Sequence, residues 1–315
     1  MPVEKSNLQK ILEAGIFSVT TEIGPPMSSD GNFVRKRARD LKGVVDAANV
    51  TDNQTAIVRM SSIAASCLSL QEGIEPVVQM TCRDRNRIAI QSDLLGGYAL
   101  GLRNVLCMSG DHQSLGNHPE SKNVYDIDSI QLLRALRRQK EESVFMNGKP
   151  TKKPAQFFLG CTANPFADPE ELQFIRLHKK IEAGAQFIQT QAIYDIEKFD
   201  RWMEKVRSAG FHKRAFMLAG ILVNKSLKSI EMTRQVAGMK VPESFIERMS
   251  KASNSEEEGI TIALELIKSI CRIEGVSGLH IMAVGWESIV PTIVERAGFH
   301  PRPDPQEFKG SDADE

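Results

Sequence analysis

Eight times along this chain a short apolar run ends abruptly in polar or turn-forming residues and gives way to a stretch with helical spacing. No other feature of the sequence restricts the fold as tightly. The first instance is the clearest: over 17–26, FSVTTEIGPP, the β-branched residues Val19, Thr20 and Thr21 lead to Glu22, and Gly24, Pro25 and Pro26 forbid continuation as strand or helix. The run reads as a buried strand that stops on a carboxylate.

The pattern recurs in order. Strands are expected over 44–50, closed by Thr51, Asp52 and Asn53; over 74–80, with Gln79, Thr81 and Cys82 at its end; and over 103–108, followed by Ser109, Gly110 and Asp111. Four more follow over 156–161, ending in Thr162 and Asn164; 186–190, ending in Gln191; 215–219, ending at Gly220; and 279–284. A short helix over 6–12, capped by Ser6, precedes them and is expected to cover the barrel floor. Helices are expected over 33–42, 61–70, 86–100 and 128–142, then one with Asp168 as N-cap, Pro169 as first residue and Phe174, Leu177 and Ile181 on one face. Phe199, Trp202, Met203 and Val206 mark the next, and 226–235, an inserted segment over 242–250, 255–272 and 288–297 complete the set. The segment 112–125, rich in Gly, Asn, Ser and Pro, exceeds an ordinary connection and is expected to be a functional loop.

Eight alternations over about 290 residues, without a break in composition, fit one α/β domain, a (β/α)8 TIM barrel with extra helices over 1–300. The proline-rich, acidic segment 301–315 is expected to be a disordered tail. A doubly wound sheet is the main rival, but it would carry GxGxxG after an early strand; Gly96, Gly97 and Gly101 close a helix instead and have the wrong spacing.

Charge and cysteine usage narrow the chemistry. Forty Lys plus Arg balance forty Asp plus Glu, so no global field attracts nucleic acid or an acidic membrane surface. Neither a signal peptide nor a span of roughly 20 apolar residues is present, so a cytoplasmic protein is expected. Five cysteines without a CxxC pair argue for reduced thiols and against an iron–sulfur or zinc knuckle. In a barrel, Glu22, Thr51, Gln79, Thr81, Asp111, Asn164 and Gln191 converge on one mouth. That set lacks both a hydrolytic metal's ligands and a Ser or Cys nucleophile beside a His, so a bound organic cofactor is expected to carry the hard step. His112 and His118, with Cys107 and Asp111, match no standard zinc spacing, and no metal is expected.

The order of these residues resembles the methylenetetrahydrofolate reductase family of flavin-containing barrels. The motifs that carry the resemblance, over 10–298, are TTEIGPP, NVTD, VVQMTC, SGD, LHKKIEAGAQFIQTQAIYD and LAGIL. It implies reduction of 5,10-methylenetetrahydrofolate to 5-methyltetrahydrofolate, with Glu22 as the acid that opens the folate ring and Asp111 tuning the flavin and favouring the cationic iminium. Gln191 matches the family's substrate-orienting residue, so Glu22, Asp111 and Gln191 form the implied substrate set. Thr51, Gln79, Thr81, Gly110, Asp111, Tyr125, Asn164, Arg176, Lys179 and Lys180 are the implied flavin positions, with Lys180 the phosphate candidate. Better-known members carry His in place of Gln79, Arg in place of Ser109 and Arg in place of Trp286. FAD is the expected cofactor, and the fewer fixed cations make FMN the alternative. Electrons are expected from NAD(P)H at the same mouth or from an iron–sulfur partner subunit, and an oligomer is expected. The reading from another class is a zinc- or corrinoid-linked methyltransferase barrel, prompted by Cys82, Cys107 and Cys161 at strand ends.

Overall fold

The computed structural model describes residues 5–308 apart from 237. Eight parallel strands close into a barrel in sequence order: β1 (Ser18–Ile23), β2 (Ala47–Val50), β3 (Pro76–Thr81), β4 (Asn104–Met108), β5 (Phe158–Ala163), β6 (Phe187–Ala192), β7 (Phe216–Leu222) and β8 (Val276–Met282). β8 pairs with β1, with Thr20 opposite His280 and Thr21 opposite Ile281. Helix α1 (Asn7–Glu13) precedes the barrel, and α2 (Gly31–Leu41), α3 (Ser62–Gln71), α4 (Arg87–Ala99), α5 (Ser129–Glu142), α6 (Glu170–Glu182) and α7 (Ile196–Ser208) each follow one strand. Three helices, α8 (Leu227–Arg234), α9 (Glu243–Lys251) and α10 (Ser255–Ile270), separate β7 from β8, and α11 (Val290–Arg296) comes last. The expected barrel with extra helices is the fold observed. Among the described residues no helix is long and apolar enough to cross a membrane.

Two-residue alternation divides each strand between wall and lumen. Val19, Val50, Val78, Val105, Leu159, Ile188, Met217 and Leu279 join the apolar layer under the helices. Ala47, Val77, Leu106, Phe158, Phe187 and Leu218 instead form a separate cluster with Leu8 and Leu12 of α1. These six residues lie in the N-terminal halves of β2 to β7, so α1 plugs the barrel floor, as its sequence suggested. The plug is fastened by Glu75, whose carboxylate accepts from the backbone N of Asn7 at 2.6 Å and of Leu8 at 2.9 Å, and from Asn104 Nδ2 at 2.9 Å.

Strand bounds shift by up to three residues, as for β2, β5 and β8, and three further local expectations fail. Asp168 is not the cap of α6: Pro169 occupies the N-cap without a side-chain hydrogen bond, helical geometry starts at Glu170, and Asp168 is exposed and paired with Lys240. Gly220 does not stop β7, which runs to Leu222; a Cβ at this position would collide with the backbone of Thr190 and Gln191, where β6 shifts register against β7. The first part of the supposed tail is anchored. Arg302 donates to Asp46 through Nε at 2.9 Å and Nη2 at 2.7 Å, and to the Phe17 carbonyl at 2.9 Å; the two side chains are 7% and 1% exposed. Composition argues for disorder only where nothing is buried, and one buried ion pair overrides it here. Residues 309–315 lie outside the described residues.

Removing one partner of a buried pair leaves the other charge without compensation, so Arg302→Ala is expected to destabilise the barrel by about 3–5 kcal/mol, read from the urea midpoint. Glu75 sets a pH dependence. Burial pushes its carboxyl up, outweighing the N–H donors that pull it down. The native chain therefore holds this proton more tightly than the unfolded one, and the contribution to stability is full below the unfolded titration and lost as pH rises through the folded one. Urea titrations at stepped pH should show that decline in the native chain and its loss in Glu75→Gln.

Candidate active site

Glu22 lies one residue before the end of β1, on the lumen face with Thr20 and Ser18, and its side chain is 16% exposed. Its Oε1 is approached by two groups: Gln79 Nε2 of β3 at 3.4 Å and His280 Nε2 of β8 at 3.4 Å. The other ring nitrogen of His280, Nδ1, lies 3.0 Å from Thr20 Oγ1, which itself donates to the Leu279 carbonyl at 3.0 Å. In the middle of the lumen Asn49 and Gln189 exchange amide hydrogen bonds, Nδ2 to Oε1 at 2.6 Å and Nε2 to Oδ1 at 3.1 Å. Above an apolar floor the barrel thus carries a layer of amides, hydroxyls and one imidazole, with Glu22 as its carboxyl group.

The wall of the mouth is held by a charged network that the sequence reading missed. Asp52, fully buried, accepts from Arg85 at 2.7 and 3.1 Å, and its Oδ2 also takes Thr81 N at 2.9 Å and Thr81 Oγ1 at 2.8 Å. Thr81 therefore commits its hydroxyl hydrogen to the wall and has none to give a ligand. Arg83, 2% exposed, donates to the carbonyls of Asp111 at 3.1 Å and Asn53 at 3.2 Å while its guanidinium pairs with Asp84. The loops after β2, β3 and β4 are thereby tied to one another. An Arg directly after TC and a buried Asp in VTD were the available signals, but both read locally as solvated charges.

Other expected site residues occupy the same rim in different states. Thr51 is 1% exposed, and its Oγ1 has no hydrogen-bond partner among the described residues. Gly110 has φ +90°, and a Cβ would press on Thr81 and Arg83 at 3.1 Å. Tyr125 is 40% exposed and its hydroxyl lies 3.3 Å from the Gly110 carbonyl. Asp111 is exposed, and its carboxylate accepts from Thr55 N at 3.1 Å. Gln191 is partly exposed at the shifted end of β6, where its Oε1 accepts from Ala192 N at 3.3 Å. Asn164 caps the turn after β5 through Phe166 N at 3.1 Å and packs against Gly238.

The basic residues of α6 divide. Lys180 is 9% exposed and donates to the Thr162 carbonyl of β5 at 2.6 Å, whereas Arg176 and Lys179 are exposed. The orphaned Thr51 hydroxyl and the Lys180 ammonium drawn to the end of β5 are groups that would suit a polar, anionic cofactor.

The cysteines face the other way. Cys82, Cys107 and Cys161 are buried in the apolar layer under the helices, with Cys107 and Cys161 paired across β4 and β5. Burial pushes their thiols up, to about 12 for Cys82 and about 11 for Cys161. Among the described residues no group of three or more His, Cys, Asp or Glu could hold a metal ion.

Comparison with known proteins agrees with this arrangement. The family model described as methylenetetrahydrofolate reductase matches residues 7–298. Methylenetetrahydrofolate reductase 1 of Schizosaccharomyces pombe is 25% identical over 233 residues, covering 72% of this chain but only 36% of the relative. The 5,10-methylenetetrahydrofolate reductase of Pectobacterium carotovorum subsp. carotovorum is 23% identical over 299 residues, 91% of this chain and 92% of the relative. Among solved structures, an uncharacterized protein from Clostridium thermocellum that binds two copies of 5-methyl-5,6,7,8-tetrahydrofolic acid superposes with a TM-score of 0.62 at 13% identity, covering 92% of this chain and 98% of that one. At that identity the likeness speaks for the barrel alone, whereas the family match spans nearly every element from α1 to α11: the chain belongs to the methylenetetrahydrofolate reductase family.

Proposed function

We propose that this chain reduces 5,10-methylenetetrahydrofolate to 5-methyltetrahydrofolate with a bound flavin, FAD in the first instance. The observation that carries the reading is the carboxyl of Glu22, held at the mouth by Gln79 and His280 from two other strands. The chain matches 5,10-methylenetetrahydrofolate reductases along nearly its whole length, and the Clostridium thermocellum barrel of the same fold binds the product's chemical class. The flavin, when bound and reduced, supplies the hydride.

The chain supplies the rest. Opening the imidazolidine ring requires a proton on the departing nitrogen, and Glu22 delivers it. Gln79 and His280 hold Oε1, which restricts how the carboxyl turns as substrate arrives. Asp111 contributes negative charge beside the Gly110 turn, where it favours a cationic iminium over its neutral precursor. Gln191 offers an amide to orient the pterin. Thr51, Gly110, Tyr125, Asn164 and Lys180 line the rim that holds the cofactor, and Arg176 and Lys179 extend it across the surface of α6. FMN would use the same rim with fewer cations. A flat nicotinamide enters the space that the pterin later takes, so NAD(P)H reduction needs no dinucleotide domain; an iron–sulfur partner subunit is the alternative donor.

The methyltransferase reading requires thiolates at the mouth, and three cysteines lie behind the wall instead. Under mild alkylation Cys271, the exposed thiol, should react first, with Cys82, Cys107 and Cys161 reacting only after unfolding; peptide mapping of the native protein checks this. The function is tested on the flavin-loaded protein under anaerobic conditions. NADH or NADPH should bleach the flavin band, and methylenetetrahydrofolate should restore it. Glu22→Gln is expected to keep bleaching by donor while reoxidation by folate slows by roughly 10² to 10⁴. Equal loss in both half-reactions would make Glu22 structural, and a colourless protein that never takes up flavin would remove the proposal. No bleaching by either nucleotide, with bleaching by a copurifying iron–sulfur subunit, would assign the electrons to that partner.

A further inference from the structure

We propose that Glu22 and His280 act as one proton-holding unit, and that Thr20 fixes its proton number by setting the tautomer of the imidazole. The inference rests on Glu22 being the acid of the reaction proposed above. It starts from the Thr20 hydroxyl, which has one hydrogen and two neighbours: the Leu279 carbonyl at 3.0 Å and His280 Nδ1 at 3.0 Å. A carbonyl oxygen can only accept, so the hydroxyl hydrogen goes to Leu279 and a lone pair is left facing the ring. Nδ1 is then the donor, Nδ1–H to Thr20 Oγ1. In a neutral ring this leaves Nε2 bare, with its lone pair directed at Glu22 Oε1 at 3.4 Å.

A bare nitrogen against a carboxylate oxygen is an acceptor facing an acceptor, which is repulsive in a wall where His280 is 4% exposed and water cannot intervene. One proton between Oε1 and Nε2 relieves it, on either atom: a carboxylic acid donating to a neutral ring, or an imidazolium donating to a carboxylate. The unit therefore holds one exchangeable proton. Gln79 Nε2 donates to the same oxygen in either state and so keeps the carboxyl aligned without competing for the proton.

Glu22, at 16% exposure, is the open end of the unit and His280 the closed end. When substrate binds, the bond between this proton and the unit breaks, a bond from the proton to the departing folate nitrogen forms, and a carboxylate beside a neutral ring remains. One proton taken from solvent water restores the starting state. His280 is thus a positioning residue: it touches neither hydride nor folate, and it ensures that the acid is loaded before each turnover.

The experiment reads the ring directly, in the protein as isolated and without substrate, so its result does not depend on whether the enzyme reduces folate. Histidine is labelled with ¹⁵N, and the His280 signals are identified by their loss in His280→Gln. A protonated Nδ1 is expected in the native protein. Thr20→Val, which removes the hydroxyl but keeps the β-branched shape, should lose that signature and slow flavin reoxidation by folate by about tenfold or more, short of the roughly 10² to 10⁴ of losing the acid, while leaving reduction by donor intact. Thr20→Ser restores the hydroxyl and should restore both signature and rate, which separates the tautomer from a folding defect. An unprotonated Nδ1 in the native protein, or a Thr20→Val protein with unchanged signature and rate, would overturn the proposal. A protonated Nδ1 in a protein that does not reduce folate would leave the unit standing and remove only the reaction assigned to it.

Discussion

The polar mouth of this barrel depends on the register with which its last strand closes on its first. β8 meets β1 with His280 opposite Thr20, and that single alignment carries an imidazole to a carboxyl 258 residues away in sequence. A shift of one residue would turn Leu279 or Ile281 into the lumen and His280 into the helix layer, since side chains alternate faces along a strand. Closure is therefore more than a packing solution. It also assembles the surroundings of Glu22, whose side-chain partners among the described residues come from β3 and β8.

What could be read in the sequence follows from this distinction between local and distant causes. Ser6, Asn86, Asp128 and Ser226 cap helices through their own side chains, and each stands just before an amphipathic run, so helix starts were visible. Strand ends were visible because polar residues and turn formers interrupt β-branched runs. His280 was not, since a histidine within LHIMAV gives no sign of which face it takes or what stands opposite. Gln79 was read as a cofactor residue, and its amide is found against Glu22. Asp52 with Arg85 and Asp46 with Arg302 were missed for the same reason: a charged residue looks solvated until the partner that buries it is known.

Floor and mouth of the lumen divide the physical work. The floor is aromatic and aliphatic, with Phe158 stacked on Phe187 at 5.0 Å between ring centroids and α1 inserted beneath. In the layer above, Asn49 pairs with Gln189, and Thr20, His280, Glu22 and Gln79 form a second chain of contacts across the barrel. An apolar base keeps water out from below, so the groups that shape the mouth are fixed by one another and by whatever enters from above. Charges in the wall, those of Asp52, Arg83 and Arg85, are paired within the loops.

The clasp between Arg302 and Asp46 has a consequence for how such a chain emerges from a ribosome. Asp46 also accepts from the backbone of Val19, so one carboxylate gathers the start of β1, the approach to β2 and a residue beyond α11. Until β8 and that arginine have been synthesised, β1 presents an open edge with unpaired backbone groups, the kind of surface that invites pairing with other chains. Every element from β2 to β8 must be made before that edge of the first strand is covered. Over that interval the growing sheet keeps one edge open to whatever else can add a strand to it.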